Sequence, residues 1–251
     1  MKFLGIIPAR YESVRFPGKP LALIFGKPMI QWVYEASAQA LEEVVVATDN
    51  QQIYDTVFSF GGKAVLTSSR HKSGTDRCAE AAEIMLKDYS FDVVINIQGD
   101  EPFIEPKQIQ QLKLCFTPEV QIATLARKIL NPEDVFDPNK PKVVLNENGD
   151  ALYFSRNPIP YIKGVDREHW LDHATFYAHI GIYGYRASVL REITSLAGSP
   201  LELAESLEQL RWIQNGYSIR VGVTPFASFG IDTPGDLERA AKEYEHLIRK
   251  Q

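Results

Sequence analysis

The sequence predicts an α/β fold with a doubly wound, mostly parallel, Rossmann-like sheet. Short apolar runs rich in Val and Ile alternate with amphipathic stretches along the first half of the chain. Strands separated in this way need helical crossovers, which place them parallel in one sheet. The 251 residues are 45% hydrophobic and 24% charged, a composition that can bury a sizeable core.

The first half supplies four predicted strands, each followed by a predicted helix. The strands cover residues 3–7, 44–47, 64–67 and 93–97. The helices cover 28–41, a segment from a cap at Asp49 or Asn50 to Gly61-Gly62, 75–87, and a segment from Pro106. In such sheets ligands bind at the carboxyl ends of the strands, where the strand order reverses.

The second half is richer in hairpins and extends the sheet. Predicted strands cover residues 121–128, 142–146, 151–155, 179–185 and 217–223, with a turn at 147–150 and one helix over 201–214. The last helix begins with Thr233 as N-cap, Pro234 as its first residue, and Asp236 completing a capping box.

Composition excludes several classes of protein. The net charge of -5 and the pI of about 5.6 argue against a general nucleic-acid binder. Cys78 and Cys115 lack CxxC spacing, so we expect buried free thiols rather than a disulfide framework or a zinc site. Without a signal peptide or an apolar run of about 18 residues, we expect a soluble cytoplasmic protein.

The loop after the first strand concentrates positive charge. Arg10, Arg15 and Lys19 lie there among Pro and Gly residues. It is not a Walker A loop, because Lys19 is followed by Pro20, and the chain has no GxGxxG. Its cations predict a cradle for a polyphosphate. The alternative is a solvated loop with incidental charges.

Two acidic positions lie at the ends of apolar strands. Asp100-Glu101 follow the strand at 93–97, and Asp232 precedes the cap Thr233. Each alone is compatible with ordinary helix capping. Together with the cationic loop, Asp100 and Asp232 predict a site for Mg²⁺ and a triphosphate, because Mg²⁺ is usually held by one or two carboxylates plus phosphate oxygens.

A further polar cluster precedes the helix at 75–87. It contains Lys72, Ser73, Thr75 and Arg77 around Gly74, and it predicts an anion site at a helix N-terminus or else an ordinary cap.

Two later residues also stand out. Arg156 is compatible with binding an acidic substrate or with an exposed strand end. His179 is compatible with a ligand contact or with a satisfied buried histidine, and the five histidines show no metal-binding spacing.

Taken in order, these motifs resemble one enzyme family. PARYESVRFPGKPL, ATDN, SGTDR, NIQGDEP, LYFSR, HIGIYGYR, LEQLR and GIDTPGDL are similar to motifs of the 3-deoxy-D-manno-octulosonate (Kdo) cytidylyltransferases, or CMP-Kdo synthetases, from residue 6 to about 240. The resemblance implies a single nucleotidyltransferase domain over 1–251. Its parts would be a nucleotide-binding half (about 1–120), a sugar-binding and dimerisation half (about 121–230), and a C-terminal helix (231–251) returning to the core.

The family implies a reaction and partners. CTP and Kdo would give CMP-Kdo and pyrophosphate, for lipopolysaccharide biosynthesis, by attack of the anomeric hydroxyl on the α-phosphate. Mg²⁺ would assist, and a homodimer is implied, with neither nucleic acid nor membrane as partner. Whether one metal ion or two take part stays open.

The family's functional residues map onto positions of this sequence. Nucleotide binding is implied for Pro8, Ala9, Arg10, Arg15, Lys19, Ser73, Gly74, Thr75, Arg77 and Gln98. Metal binding is implied for Asp100 and Asp232, and a catalytic role for these two with Lys19 and Arg10. Sugar binding is implied for Arg156, His179, Tyr183, Glu208 and Gln209, with Arg156 binding the sugar carboxylate.

Alternative functions remain open from the sequence. A cytidylyltransferase for 8-amino-Kdo or sialic acid is one, because segment 163–177 lies between the sugar motifs and matches none of them, although LYFSR and HIGIYGYR argue against sialic acid. A GT-A glycosyltransferase would be expected to show DxD, whereas this chain has Asp100-Glu101-Pro102. A non-catalytic nucleotide-binding regulator would bind CTP without releasing pyrophosphate.

Overall fold

The computed structural model describes residues 1–13 and 15–243, in two compact units. The first unit is Met1–Gln110 with Ser228–Gln251, and the second is Gln111–Ala227. The strands are β1 (Phe3–Ala9), β2 (Leu23–Ile24), β3 (Lys27–Pro28), β4 (Glu43–Thr48), β5 (Ala64–Leu66), β6 (Val93–Asn96), β7 (Ile122–Lys128), β8 (Lys142–Leu145), β9 (Ala151–Ser155), β10 (Tyr177–Arg186) and β11 (Ile219–Val223).

The helices follow the same chain order. The α-helices are α1 (Met29–Ala38), α2 (Gln51–Ser59), α3 (Gly74–Met85), α4 (Pro106–Leu114), α5 (Pro132–Phe136), α6 (Trp170–His173), α7 (Ala187–Thr194), α8 (Pro200–Glu205), α9 (Gln209–Gln214) and α10 (Pro234–Glu243). Short 3-10 helices cover Lys19–Leu21 and Arg167–His169.

The first unit contains a parallel sheet in the order β6-β1-β4-β5. Its central strands are buried on both faces, as expected when helices cover a parallel sheet. The chain moves from β1 outward through β4 and β5, and then returns to the other side of β1 with β6. The strand order therefore reverses at β1, which places a crevice at the carboxyl ends of β1 and β6.

Helix caps fix the ends of the crossover helices. The Asn50 side chain accepts from the Ile53 amide at the start of α2, which decides between the two predicted caps. Ser73 and Asp76 form a capping box at α3, and Thr233 and Asp236 do the same at α10.

The second unit mixes strand directions. Its sheet runs β11-β7-β10-β8-β9, with β11 parallel to β7 and the other neighbours antiparallel. A separate aromatic cluster centres on buried Trp170, which stacks on Phe176 with ring centroids 5.9 Å apart. Trp170 thereby anchors the segment at 163–177 within this unit.

The predicted α/β class with a mostly parallel central sheet is confirmed, and all nine strands predicted with residue bounds are present. The short strand expected before Asp232 is wrong: the described residues 224–233 form no strand, and the Ile231 amide donates to the Asp100 carbonyl instead. The single helix predicted over 201–214 is wrong, because Ser206 adopts a left-handed conformation (φ 52°) and separates α8 from α9. The prediction omitted the β2–β3 hairpin and the helices α5, α6 and α7. Of the C-terminal helix predicted to 251, the part beyond residue 243 lies outside the described residues.

Both cysteines are free, as predicted, but only Cys78 is fully buried, whereas Cys115 is half-buried. Among the residues that the structure describes, no helix is both long and apolar enough to cross a membrane.

Candidate active site

A cavity of about 260 Å³ opens at the carboxyl ends of the first unit's strands. Three segments that follow β1, β5 and β6 meet there, together with the loop before α10. Most of the residues predicted to bind nucleotide and metal line this one cavity, namely Pro8, Ala9, Arg10, Arg15, Lys19, Ser73, Gly74, Arg77, Gln98, Asp100 and Asp232. Thr75 does not line it and is buried in the first turn of α3.

Lys19 connects the two predicted metal ligands. Its Nζ donates to Asp100 Oδ2 at 2.7 Å and to Asp232 Oδ1 at 3.3 Å. Arg15 contacts the other oxygen of Asp232 at 3.0 Å, although its own side chain is 65% exposed. Two carboxylates separated by 132 positions in sequence therefore face one cationic centre.

Local backbone geometry explains this convergence. Gly18 has φ 69°, a left-handed conformation that favours glycine, and its amide donates to the Tyr11 carbonyl. The resulting turn places Lys19 at the start of a 3-10 helix. On the opposite wall, the amide of Ile231 donates to the Asp100 carbonyl at 2.9 Å, which brings Asp232 beside Asp100.

Glu101 follows Asp100 in the chain and is buried. Its burial raises its pKa to about 7, against the effect of a hydrogen bond from Ser228, and the charge of Asp100 adds to the rise. Glu101 therefore contributes less negative charge at neutral pH than an ordinary glutamate. The acidic part of the cavity is formed by Asp100 and Asp232.

Arg77 lines the cavity, but its guanidinium is bound by other protein groups. Only 4% of its side chain is exposed, and its guanidinium contacts Asp49 at 2.7 Å and Thr67 Oγ1 at 2.6 Å. These bonds tie α3 to the ends of β4 and β5. Arg77 thus fixes the N-terminus of α3, where Ser73 and Gly74 face the cavity.

Sequence reasoning did not assign four other lining residues, which are Ser13, Pro20, His71 and Gly99, whereas Lys72 lines the cavity as part of the polar cluster predicted before α3. The Nε2 atom of His71 forms a short contact with Glu80, whose carboxylate also accepts from the Ser68 amide. Burial would raise the pKa of Glu80, but these two hydrogen bonds outweigh burial and lower it. The only sequence signal for His71 was its position two residues before SGTDR.

In the second unit, Arg156 follows β9 and is extensively bonded. Its Nε donates to the Glu205 carbonyl at 2.6 Å, and its terminal nitrogens donate to Pro138 O at 3.0 Å and Ser206 O at 3.2 Å. A guanidinium has five N–H donors, so it retains capacity for an anion.

The other residues predicted to bind sugar lie on β10 and at the start of α9, where Glu208 is the N-cap residue. The ring of His179 lies 5.3 Å from that of Tyr183, and the charge of Glu208 adds to the burial that raises the pKa of Tyr183. Gln209 is buried, and among the described residues its Nε2 has no hydrogen-bond partner. An orphaned buried donor of this kind fits a polar ligand.

His179 itself has a protein partner. Its Nε2 lies 3.0 Å from Thr124 Oγ1, whose hydroxyl also lies within bonding distance of two main-chain carbonyls. The hydroxyl proton goes to a carbonyl, so we assign the Nε2–H tautomer to His179. As a residue His179 is half-buried, but its ring lies against Phe154 and Tyr183, and this desolvation lowers its pKa to about 3.

The sheet topology and the cavity define an α/β protein of the nucleotidyltransferase type, with cations, a helix N-terminus and two carboxylates at the strand ends. A solved structure described as a putative glucose-1-phosphate thymidylyltransferase from Bacillus anthracis shares this fold. Its TM-score is 0.63 at 16% identity, covering 96% of this chain and 94% of that one.

Comparisons at higher identity define the family. A cytidylyltransferase family model matches residues 4–219. The 3-deoxy-manno-octulosonate cytidylyltransferase of Parabacteroides distasonis is 58% identical over 245 residues, 96% of this chain and 97% of that protein. A solved structure of CMP:2-keto-3-deoxy-manno-octonic acid synthetase complexed with CTP has a TM-score of 0.89 at 43% identity, covering 98% and 100% of the two chains. The chain belongs to the 3-deoxy-manno-octulosonate cytidylyltransferase family.

Proposed function

We propose that this chain transfers the cytidylyl group of CTP to Kdo, giving CMP-Kdo and pyrophosphate, as a step of lipopolysaccharide biosynthesis. The observation that carries the proposal is the cavity that gathers Arg10, Arg15 and Lys19 beside Asp100 and Asp232, in a chain of this family. A triphosphate needs the cations, and its metal ion needs the carboxylates.

The nucleotide would lie across the cavity. Arg10, Arg15 and Lys19 would bind the triphosphate, because guanidinium and ammonium groups are the usual phosphate ligands. Ser73 and Gly74 would add the N-terminus of α3, whose free amides favour anions. Gln98 would face the base, with an amide that can both donate and accept hydrogen bonds.

Asp100 and Asp232 would hold Mg²⁺. Their oxygens suit a hard cation, and both already contact one ammonium group, so the donor set fits the ion. Bound there, Mg²⁺ supplies Lewis-acid polarisation of the phosphate oxygens.

The sugar would bind to the residues of the second unit. Arg156 has donors available for the carboxylate, while His179, Tyr183, Glu208 and Gln209 present polar groups suited to hydroxyls. A bidentate guanidinium–carboxylate pair orients its ligand as well as binding it. Such orientation is what an in-line attack by the anomeric hydroxyl on the α-phosphorus requires.

The protein groups would stabilise the charge that develops during the reaction and would orient the reactants. As the bond between the α-phosphorus and its bridging oxygen breaks, negative charge grows on the departing pyrophosphate. Arg10, Arg15 and Lys19 would stabilise that charge, and such preorganised contacts are worth about 3–4 kcal/mol each. The proton of the attacking hydroxyl would leave to solvent or to a phosphate oxygen.

The test is pyrophosphate release, measured with four nucleotides against Kdo, its 8-amino analogue and sialic acid. CTP with Kdo should give the highest kcat/KM. Binding of CTP without any pyrophosphate release would overturn the proposal in favour of a nucleotide-binding regulator. A preference for the 8-amino analogue would instead identify that analogue as the sugar substrate.

Two further expectations remain proposals. We expect the protein to act in the cytoplasm, and the family resemblance implies that it does so as a homodimer.

A further inference from the structure

The second unit contains a lysine that the reaction does not use. Lys142, at the start of β8, has no exposed surface. Its Nζ donates to the carbonyls of Asp137 at 2.8 Å and Arg156 at 2.7 Å. A buried ammonium group is costly unless it is well partnered, and these two carbonyls are partners that stabilise it.

We propose that Lys142 and Glu205 are positioning residues that hold Arg156 in place to bind the carboxylate of the acidic sugar. This inference rests on the proposed function, because it takes Arg156 as the carboxylate ligand. Neither residue would touch the sugar. Both would act through the backbone and guanidinium of Arg156.

Glu205 holds other groups of Arg156 than Lys142 does. Its carboxylate accepts from the Arg156 amide at 2.9 Å and from Ser155 Oγ at 2.7 Å. Its main-chain carbonyl accepts from Arg156 Nε at 2.6 Å. The amide, the carbonyl and the guanidinium of Arg156 are thus each bound by one member of the pair.

A single turn links Lys142 to the guanidinium. Lys142 binds the carbonyl of Asp137, and the next carbonyl, that of Pro138, accepts from the Arg156 guanidinium at 3.0 Å. Loss of the Lys142 ammonium would therefore release Arg156 at two points, its own carbonyl and the turn that supports its side chain.

The charges around Lys142 largely balance. Burial lowers the pKa of Lys142, Asp137 and Glu205 raise it, and the positive charge of Arg156 lowers it. The two acidic neighbours therefore help to keep the buried ammonium group charged, so that it can hold the Arg156 carbonyl.

The test is steady-state pyrophosphate release by Lys142→Met, varying one substrate while the other is saturating. We expect the KM for Kdo to rise by at least about tenfold, because a misplaced binding group loses orientation. The KM for CTP should stay within about twofold of wild type, because the nucleotide residues lie in the first unit. Lys140→Met is the matched control: Lys140 is exposed, pairs with Asp134, and should change neither KM.

A second variant keeps the test valid if Lys142→Met does not fold. Glu205→Gln retains Lys142 and should show the same split between the two KM values. An unchanged KM for Kdo in a folded variant, or an equal rise in both KM values, would overturn the inference. Arg156→Gln distinguishes a failure of this inference from a failure of the proposed function. If this variant leaves the KM for Kdo unchanged, the assignment of Arg156 in the proposed function is wrong.

Discussion

At the scale of single residues, the cavity balances opposite charges at short range. Lys19 has only 13% of its side chain exposed, so its contacts with Asp100 and Asp232 are less screened by water than surface pairs. These carboxylates hold Lys19 in the cavity, where a triphosphate can reach it. The residues that would bind metal therefore also orient a residue that would bind phosphate.

The change Asp100→Asn tests this arrangement. We expect turnover to fall at least about a hundredfold, because one preorganised charge contact is worth about 3–4 kcal/mol, while the melting temperature changes little. Pyrophosphate release and thermal unfolding measure the two effects. Asp55→Asn, on the exposed face of α2, is the control and should behave as wild type. Near-normal turnover in Asp100→Asn would remove Asp100 from the metal site.

At the scale of secondary structure elements, the close approach of β1 and β6 determines the shape of the cavity. Gly99 follows β6, and a Cβ atom there would lie 2.8 Å from the carbonyl oxygen of Pro8, a distance that real Cβ atoms avoid. Glycine at this position lets the chain carrying Asp100 pass beside the chain carrying Arg10. The glycine of the QGD motif is therefore required by packing, which sequence reasoning had not assigned.

Gly99→Ala should separate these two segments. We expect a loss of stability of about 1–3 kcal/mol, typical of overpacking, and a clear drop in kcat as the lining residues shift. Thermal unfolding and pyrophosphate release measure both. Gly230→Ala is the control, because a Cβ atom there meets nothing within 4 Å. Equal behaviour of the two variants would contradict this account of the packing.

At the scale of the whole molecule, the free energy of unfolding should depend on the buried imidazole of His179. Its pKa is lowered to about 3 in the folded chain, against about 6.5 when unfolded. Above pH 6.5 the ring is neutral in both states, and its contribution to stability is fully present. As the pH falls below 6.5, only the unfolded chain gains the proton, so stability is lost.

Denaturant unfolding at pH 7.5 and pH 5 measures this dependence. Between these values wild type should lose about 2 kcal/mol more stability than His179→Asn, because one unit of pKa difference corresponds to about 1.4 kcal/mol. Other ionisable groups affect both proteins alike. Parallel pH profiles for the two proteins would show that His179 is not held neutral by the fold.

Assembly is the other property at this scale. The second unit exposes large apolar side chains, including those of Leu152, Tyr161 and Leu203. Light scattering at micromolar concentration should give about twice the chain mass of 28.3 kDa, as expected for a homodimer. A mass equal to that of one chain over the whole concentration range would contradict the expectation.

Local pattern by itself predicted the parallel strands and the crossover helices of the first unit, but not its β2–β3 hairpin. Val-rich runs alternate with amphipathic stretches, and Asn50, Ser73 and Thr233 cap the helices that follow them. Both signals act over a few residues, so they can be recognised from the sequence alone. The same reading failed at Ser206, where the helical pattern continues but the backbone turns left-handed. Nothing in the periodicity of 201–214 signals that break.

The motifs indicated the candidate site residues, but the tertiary structure decided which of them lie together. Lys19, Asp100 and Asp232 come together because the strand order reverses at β1 and because Ile231 bonds to the Asp100 carbonyl. Lys142 carries no local signal, and His71 has only its position before SGTDR, because their roles depend on cavity walls and carbonyls supplied by other segments. Sequence specifies short-range preferences directly, whereas contacts between distant segments exist only once the chain has packed.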